Sequence, residues 1–330
     1  DRVDGVVAVN TETGERASIK AKAVINATGT WADRLRNEVN PEVRVRPLRG
    51  SHLVLARSRL PVQDCLTIFH PRDKRPVLAF PWEGATVIGT TDLDHDQDPD
   101  AEATISSGEL DYLLEAVANQ FPEHAITRDD IISTWSGVRP VIGSDKSKDP
   151  SKERRNHAVW IDNGLVTVTG GKLTTFRKIA LDAIDAATGT LGELQVTEPD
   201  EAVFRIPAIS GSAIGTADEP WAQRLAGRYG SRAIDLFDGA GAAEQTKIDD
   251  TEFCLAECRW AARNESVVHL DDLLLRRTRL GSLLHRGGEA IFPALERICA
   301  EELQWDRAKW EAEVARYLEI WSRHYYLPAT

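Results

Sequence analysis

One run near the middle of the chain constrains its fold more than any other. Residues 166–169 alternate valine and threonine, which is typical of a strand, and Gly170 and Gly171 end that strand. Lys172 then opens a helix, since the apolar residues between 173 and 187 recur every three or four positions. Glycines permit a tight turn and a close approach, and the start of a helix presents amide groups to anions. We therefore expect this turn to face an anion or a developing anion.

The composition sets outer limits on the class of protein. A chain of 330 residues that is 42% hydrophobic and 28% charged can bury a substantial core and is expected to form two domains. Its formal net charge of -12 argues against a nucleic-acid partner. No apolar run approaches the roughly 20 residues of a membrane-spanning helix. Four cysteines are too few for a disulfide framework, so we expect buried thiols in a reducing compartment.

A second apolar strand is predicted near the beginning of the chain. Residues 23–27 are mostly apolar and lead into a glycine turn at Gly29, and a short helix is expected around residues 32–37. We interpret this as a buried strand of a parallel sheet. The glycine-rich phosphate loop that usually precedes such a strand in nucleotide-binding domains is absent from the sequence, so we expect an N-terminal segment to be missing.

The region between these two strands has a different pattern. Residues 43–55 alternate in polarity, and further strand-like runs occupy residues 77–80, 86–92 and 131–135. Helical spacing appears over residues 110–117. We interpret this region as an inserted, antiparallel sheet whose polar strand ends face a cleft.

Helices dominate the last third of the chain. After about residue 189 a stretch rich in glycine, proline and acidic residues contains one short strand, at residues 203–206. The following pattern predicts helices near residues 221–229, 252–263, 270–284 and 307–324.

Five short motifs together resemble one family, the FAD-dependent glycerol-3-phosphate dehydrogenases of the aerobic, quinone-linked type. They occur in the order seen in that family. The motifs are Asn26-Ala27-Thr28-Gly29-Thr30-Trp31, Arg49-Gly50-Ser51-His52, Ile88-Gly89-Thr90-Thr91-Asp92, Ser136-Gly137-Val138-Arg139-Pro140 and Gly170-Gly171-Lys172-Leu173-Thr174-Thr175-Phe176-Arg177. The sequence departs from the family in lacking the N-terminal ADP-binding segment, so this fragment alone is expected to be inactive.

The resemblance implies an α/β flavoprotein fold of the FAD/NAD(P)-binding, D-amino-acid-oxidase-like class, with an inserted antiparallel substrate-binding sheet and a helical C-terminal domain. Residues 1–42 and 134–190 are expected to belong to the FAD-binding domain, and residues 43–133 to the inserted substrate domain. Residues 191–219 are expected to form a linker, and residues 220–330 the helical C-terminal domain.

The resemblance also implies a flavin site with FAD as the cofactor. Amide groups at the start of the helix would stabilise the negative charge of a reduced flavin. The residues expected at the cofactor are Ala27, Thr28, Gly29, Gly137, Gly170, Gly171, Lys172, Leu173 and Thr174. The alternative at the double glycine is a structural turn followed by an exposed lysine.

Arg139 and Lys172 are expected to bind the substrate, and His52 and Arg139 to be catalytic. A guanidinium group suits a phosphate or a developing ketone oxygen, and the glycine and proline near Arg139 restrict its backbone. The alternative is a structural arginine paired with an acid such as Asp92. His52 is the candidate base because imidazole titrates nearest neutral pH, and its alternative is a hydrogen-bonded core histidine.

The implied reaction is oxidation of sn-glycerol 3-phosphate to dihydroxyacetone phosphate by hydride transfer to FAD, with a quinone as the electron acceptor. One alternative is a related flavin-dependent amine or hydroxy-acid oxidase that reduces oxygen. Another is that the C-terminal helices dock on a membrane or a partner, and a homo-oligomer is a further option. The resemblance implies a cytoplasmic protein with peripheral association at the inner face of the cell membrane. No metal site is predicted, since residues 92–98 lack the glycine and glutamate of a calcium loop.

Overall fold

The computed structural model describes residues 2–143, 155–192, 201 and 209–328. The chain divides into two compact units, and each is formed from three separate segments. The first unit consists of Asp1–Gly50, Asp92–Ala103 and Gly137–Val203, and the second of Ser51–Thr91, Thr104–Ser136 and Phe204–Thr330. The five-part division expected from the sequence stays a prediction.

The first unit contains a β-hairpin and a small mixed sheet. Its hairpin pairs β1 (Gly5–Val9) with β2 (Arg16–Lys20) in an antiparallel manner. In the mixed sheet, β11 (Leu165–Gly170) lies between β10 (His157–Asp162) and β3 (Val24–Asn26), and β3 runs parallel to β11. The strand predicted over residues 166–169 is confirmed, and β3 has a parallel neighbour, as predicted for it, within a mixed sheet.

Two helices of the first unit follow these strands directly. Helix α1 (Ala32–Arg36) follows β3, and α3 (Phe176–Leu191) follows β11 after a 3-10 turn at Leu173–Thr175. The sequence predicted both helices within a few residues. The prediction of a buried strand over residues 23–27 was wrong at Ile25, which is 43% exposed. Among the described strands, β3 pairs with β11 only.

The second unit is built around an antiparallel sheet, as predicted. Its strands β5 (Leu66–Phe69), β6 (Pro76–Trp82) and β7 (Ala85–Gly89) follow one another in the sheet, and β7 pairs with the second half of β4 (Val45–Ala56). Helix α2 (Ser107–Gln120) buries its apolar face in the same core as these strands.

Two long strands contain residues of both units. In the first unit, β4 begins beside β8 (Leu93–Asp94), where Leu48 faces Asp94. Strand β9 (Ile131–Ile142) also pairs with β4. It is longer than the predicted strand over residues 131–135, and the Ser136-Gly137-Val138-Arg139-Pro140 motif therefore lies within a strand.

The C-terminal part of the second unit is helical, as predicted. Its helices are α4 (Glu219–Tyr229), α5 (Arg232–Asp238), α6 (Leu255–Asn264), α7 (Leu280–Leu283), α8 (Phe292–Leu303) and α9 (Arg307–His324). The sequence did not predict α5 or α8. The strand expected at residues 203–206 lies outside the described residues. In the parts of the chain that the structure describes, no helix is long and apolar enough to cross a membrane.

The single helix predicted over residues 270–284 was wrong. A π-helical turn, Asp272–Arg277, occupies its first part, and α7 follows after a break. The backbone amide and the side-chain hydroxyl of Thr278 both donate to the carbonyl of Leu273, five residues earlier. Arg279 then adopts a left-handed conformation with φ of 61°, which ends the regular helix.

Three of the four cysteines are buried in the helical part of the second unit. Cys254, Cys258 and Cys299 lie in its hydrophobic cores as free thiols, whereas Cys65 is exposed. Burial raises the pKa of Cys254 and of Cys299 to about 12. The expectation of buried thiols is therefore confirmed for three positions and wrong for Cys65.

Candidate functional site

The double-glycine turn between β11 and α3 needs both of its glycines. Gly170 and Gly171 have φ angles of 79° and 80°, a region that side chains with a Cβ atom rarely adopt. A Cβ on Gly170 would lie 2.6 Å from the carbonyl oxygen of Asn156, and one on Gly171 would lie 2.6 Å from Cδ1 of Ile179. The turn therefore has its own structural reason for two glycines, and it leaves Lys172 exposed at the start of the following turn.

An apolar groove of about 520 Å³ lies against this turn in the first unit. Ile25 and Val168 of the sheet and Ala27, just after β3, line it, together with the apolar residues that begin at Leu173 and Phe176. These last two side chains are 87% and 49% exposed. Exposed apolar side chains beside a cavity are typical of a ligand-binding surface.

The groove brings together five of the nine residues that we assigned to the flavin. Ala27, Gly170, Gly171, Lys172 and Leu173 all line it. A flat, largely apolar ring system beside a cluster of backbone amides fits this lining, so the residues present are compatible with a flavin. The role of each in binding stays a prediction.

The other four assigned residues do not line this groove. Thr28 donates through its hydroxyl and its amide to Oδ1 of Asn26, at 2.7 and 3.3 Å. The carbonyl of Gly29 accepts a hydrogen bond from Thr169, 3.2 Å away. Thr174 and Gly137 are exposed, and an added Cβ on Gly29 or Gly137 would meet no atom within 4 Å. Both glycines therefore leave open space beside the backbone.

A second cleft in the first unit, of about 370 Å³, is lined by three cations. They are Arg139, Arg155 and Lys172. Asp92, which is only 4% exposed, accepts hydrogen bonds from Nη1 of Arg139 at 3.4 Å and from Nη2 of Arg155 at 2.7 Å. One buried carboxylate thus orients two guanidinium groups whose side chains also border the cleft. The ion pair between Arg139 and Asp92, which was the structural alternative for Arg139, is present, and Arg139 nevertheless lines the cleft.

Arg155 is a candidate site residue that sequence reasoning missed. It lies in a charged stretch outside the five motifs, so no motif marked it. Its position follows from strand pairing, since His157 of β10 faces Gly170 of β11. The residue two positions before His157 is therefore close to the double-glycine turn. Strand β10 pairs with β11, which ends in the double glycine. A basic residue just before β10 is therefore the sequence signal that could have identified Arg155.

His52, the candidate base, lies in the second unit and is half-buried. Its imidazole stacks on the indole of Trp135, with ring centroids 3.7 Å apart and ring planes 9° from parallel. His52 also faces Gly89 of β7 in the sheet register. A Cβ on Gly89 would lie 1.9 Å from Cδ2 of His52, so the imidazole lies directly on the β7 backbone.

A buried glutamate of α2 connects the polar residues of three motifs in the second unit. Glu109 is 2% exposed, and its Oε1 accepts hydrogen bonds from the hydroxyls of Ser51 at 2.8 Å and Thr91 at 2.6 Å. The hydroxyls of Ser51 and Ser136 are 2.8 Å apart. Its Oε2 accepts from the amide and the hydroxyl of Ser106. One carboxylate thus binds Ser51 and Thr91 directly, and Ser136 is joined to it through Ser51.

Comparison with known sequences gives the class of protein. The family model for FAD dependent oxidoreductases matches residues 1–177, and that for the C-terminal domain of alpha-glycerophosphate oxidase matches residues 192–310. Since the first match covers more than half of the chain, the protein belongs to the FAD dependent oxidoreductase family. The flavoprotein fold class predicted from the motifs is confirmed.

Two curated relatives agree with the resemblance that the motifs predicted. Over 299 residues the chain is 32% identical to an aerobic glycerol-3-phosphate dehydrogenase of Staphylococcus haemolyticus, a match of 84% of this chain and 53% of that protein. The homologous enzyme of Staphylococcus aureus gives the same identity over 302 residues and the same coverage. The chain thus spans about half the length of the curated relatives it matches.

A solved structure supports the same grouping. The glycerol-3-phosphate dehydrogenase from Bacillus halodurans, crystallised in complex with FAD, has a TM-score of 0.72 and 28% sequence identity to this chain. The superposition covers 97% of this chain and 66% of that protein. The fold described above is therefore similar to that of this enzyme over nearly the whole chain.

Proposed function

We propose that the protein contributes to FAD-dependent oxidation of sn-glycerol 3-phosphate to dihydroxyacetone phosphate, with a quinone as the electron acceptor. The observation that carries the proposal is that the apolar groove and the three-cation cleft share Gly171, Lys172 and Leu173 in their linings. A site for a flat apolar cofactor and a site for an anion therefore adjoin each other. The names of the related enzymes, one of them crystallised with FAD, agree with this pairing.

FAD is the proposed cofactor, and the residues that would hold it are those of the groove. When bound, FAD supplies a hydride acceptor that no side chain offers. Ala27 and the double glycine leave room for close approach, and Leu173 and Phe176 offer apolar surface. Lys172 and the amides at the start of the following turn would favour negative charge at this place.

The phosphate of the substrate is proposed to bind Arg139, Arg155 and Lys172. A phosphate carries up to two negative charges and several acceptor oxygens, and it is bound best by several cations, with planar guanidinium groups giving paired hydrogen bonds. An amino-acid carboxylate needs a single arginine. The three cations in one cleft therefore favour a phosphate ester over the amine or hydroxy-acid substrates of the alternative function.

His52 is the proposed proton acceptor for the substrate hydroxyl. Oxidation of a secondary alcohol requires loss of the hydroxyl proton as the hydride leaves carbon, and imidazole is suited to accept a proton near neutral pH. Arg139 would stabilise the developing carbonyl oxygen. A quinone as acceptor, a cytoplasmic location and peripheral contact with the membrane follow from the kinship with aerobic enzymes and are part of the proposal.

The test is anaerobic reduction of the flavin-loaded full-length protein. Addition of sn-glycerol 3-phosphate should bleach the visible flavin absorption and yield dihydroxyacetone phosphate. A flavin that stays oxidised with glycerol 3-phosphate but is bleached by an amino acid or a 2-hydroxy acid would replace the substrate proposal by the alternative. A protein that takes up no flavin would contradict the cofactor assignment.

A matched pair of lysine variants tests the cleft itself. Lys172→Gln removes a cation that lines the cleft, whereas Lys178→Gln removes an exposed lysine one to two turns further on, which pairs with Asp182. We expect the first change to weaken binding of glycerol 3-phosphate roughly tenfold or more and the second to leave it unchanged, because charge-assisted hydrogen bonds to phosphate are among the strong ones. Equal effects would count against the cleft as the phosphate site.

A further inference from the structure

We propose that Trp135 is a positioning residue, which holds the imidazole of His52 in one orientation together with the backbone of Gly89. The inference rests on the proposed role of His52 as proton acceptor and assigns a task to two residues outside the catalytic set. All three residues belong to the second unit, on strands β4, β7 and β9.

Both faces of the His52 ring are covered. On one face lies the indole of Trp135, at a centroid distance of 3.7 Å and with a 9° angle between the planes. On the other lies Gly89, where an added Cβ would be 1.9 Å from Cδ2 and 2.6 Å from Nε2 of His52. A residue other than glycine could not occupy this position without displacing the ring. The imidazole is therefore confined to a slot, formed by Trp135 and Gly89, that is only as wide as the ring is thick.

Confinement of this kind matters for a base because proton transfer depends on the position and direction of a nitrogen lone pair. A histidine on an open strand surface can change its two side-chain torsions freely. The slot between Trp135 and Gly89 restricts both torsions and so fixes the direction in which the ring nitrogens point. Preorganisation of a reacting group lowers the entropic part of the activation barrier.

The experiment uses Trp135→Leu, Trp135→Phe and Gly89→Ala in the flavin-loaded protein, with His52→Ala as reference. Leucine removes the aromatic wall, phenylalanine keeps a ring, and alanine at position 89 forces His52 out of the slot. Stopped-flow flavin reduction is measured across glycerol 3-phosphate concentrations, so that the limiting rate and the substrate dissociation constant separate. Ring-current shifts of the His52 carbon-bound protons in NMR spectra report the stack independently of activity.

We expect Trp135→Leu and Gly89→Ala to lower the limiting reduction rate about tenfold or more, to change substrate affinity less than threefold, and to abolish the ring-current shift. Trp135→Phe should retain the shift and a rate within about threefold of the parent. Denaturation curves confirm that each variant is folded, and Gly89→Ala and Trp135→Leu provide two independent disruptions of the same slot.

Two results would overturn the inference. If the shift disappears in Trp135→Leu while the limiting rate is unchanged and His52→Ala is slow, the stack exists but does not serve catalysis. If His52→Ala itself reduces the flavin at the parent rate, the base assignment in the proposed function is wrong, and with it the inference. These two outcomes differ in the behaviour of His52→Ala, so the failure of one proposal is distinguishable from the failure of the other.

Discussion

The guanidinium group of Arg139 pairs with the carboxylate of Asp92, and Arg139 also lines the three-cation cleft. Its orientation in the cleft is therefore fixed by Asp92. Asp92 fixes one side of the planar fork, at 3.4 Å from Nη1. Arg155, bound to the same carboxylate at 2.7 Å, is fixed beside it. Two arginines that share one buried acid keep a net positive charge in the cleft while avoiding free rotation, which suits recognition of a doubly charged anion.

Arg139→Lys is expected to weaken glycerol 3-phosphate binding about tenfold or more, although the charge is retained. A planar guanidinium group can donate to Asp92 and to a bound anion at the same time, and the ammonium group of a lysine cannot reproduce this geometry. The dissociation constant is obtained from flavin reduction at increasing substrate. Arg128→Lys is the matched control, because Arg128 pairs with Asp111 at the surface. An unchanged dissociation constant for Arg139→Lys would remove this residue from the substrate site.

Glu302 gives a pH dependence whose direction follows from its partners. Hydrogen bonds from Arg263, and then from Arg259, hold the pKa of Glu302 at about 2, below its ordinary value of 4.5. The folded state therefore binds the proton less tightly than the unfolded state. The stabilising contribution is complete above about pH 4.5 and is lost as the pH falls towards 2.

We expect the urea midpoint of the parent protein to fall more between pH 5 and pH 3 than that of Glu302→Gln. The glutamine variant lacks the titrating group but keeps a similar shape. Midpoints from urea unfolding curves at the two pH values provide the comparison. Parallel changes in both proteins would show that Glu302 does not contribute to acid sensitivity.

At the scale of elements, the first turn of α2 connects this helix with the sheet of the second unit. Its first turn is a capping box, in which the amide of Glu109 donates to Ser106 while the Glu109 carboxylate accepts from the amide of Ser106. The same carboxylate accepts hydrogen bonds from Ser51 and Thr91. One carboxylate thus connects the start of α2 with the middle of β4, at Ser51, and with Thr91, just after β7.

Two substitutions separate these roles. Ser106→Ala removes the cap and is expected to cost about 1 kcal/mol of unfolding free energy. Glu109→Ala leaves the buried hydroxyls of Ser51 and Thr91 without this acceptor and is expected to cost about 3 kcal/mol. Urea unfolding measures both. A Glu109→Ala variant no less stable than Ser106→Ala would mean that the hydroxyls find other acceptors.

The elements that the sequence predicted best are those whose pattern is local. Alternation revealed the antiparallel strands, and the apolar repeat located α9 at Arg307–His324. The break within residues 270–284 was not visible, because leucines and charges continue through it at helical spacing and only the Thr278 hydrogen bonds and the Arg279 backbone interrupt it. Short helices such as α5 give too few repeats for a period to be recognised.

At the scale of the whole molecule, motif spacing located the glycine turn and Arg139, and it missed the partners that tertiary pairing brings to them. Arg155 reaches the cleft through the register of β10 on β11. Trp135 meets His52 because the two strands that carry them are neighbours. Such contacts join positions far apart in the chain, so no local pattern in a single sequence reveals them.

The one exposed and three buried cysteines make it possible to follow unfolding of the protein by thiol labelling. A thiol-specific chromogenic reagent should modify one cysteine rapidly, Cys65, and three more only after unfolding, because Cys254, Cys258 and Cys299 are buried. Two or more fast thiols in the native protein would contradict the described core. The three slow thiols all lie among the C-terminal helices, so their labelling rate measures how often that region opens. In a Cys65→Ser variant the folded protein should not react with the reagent until the C-terminal helices open.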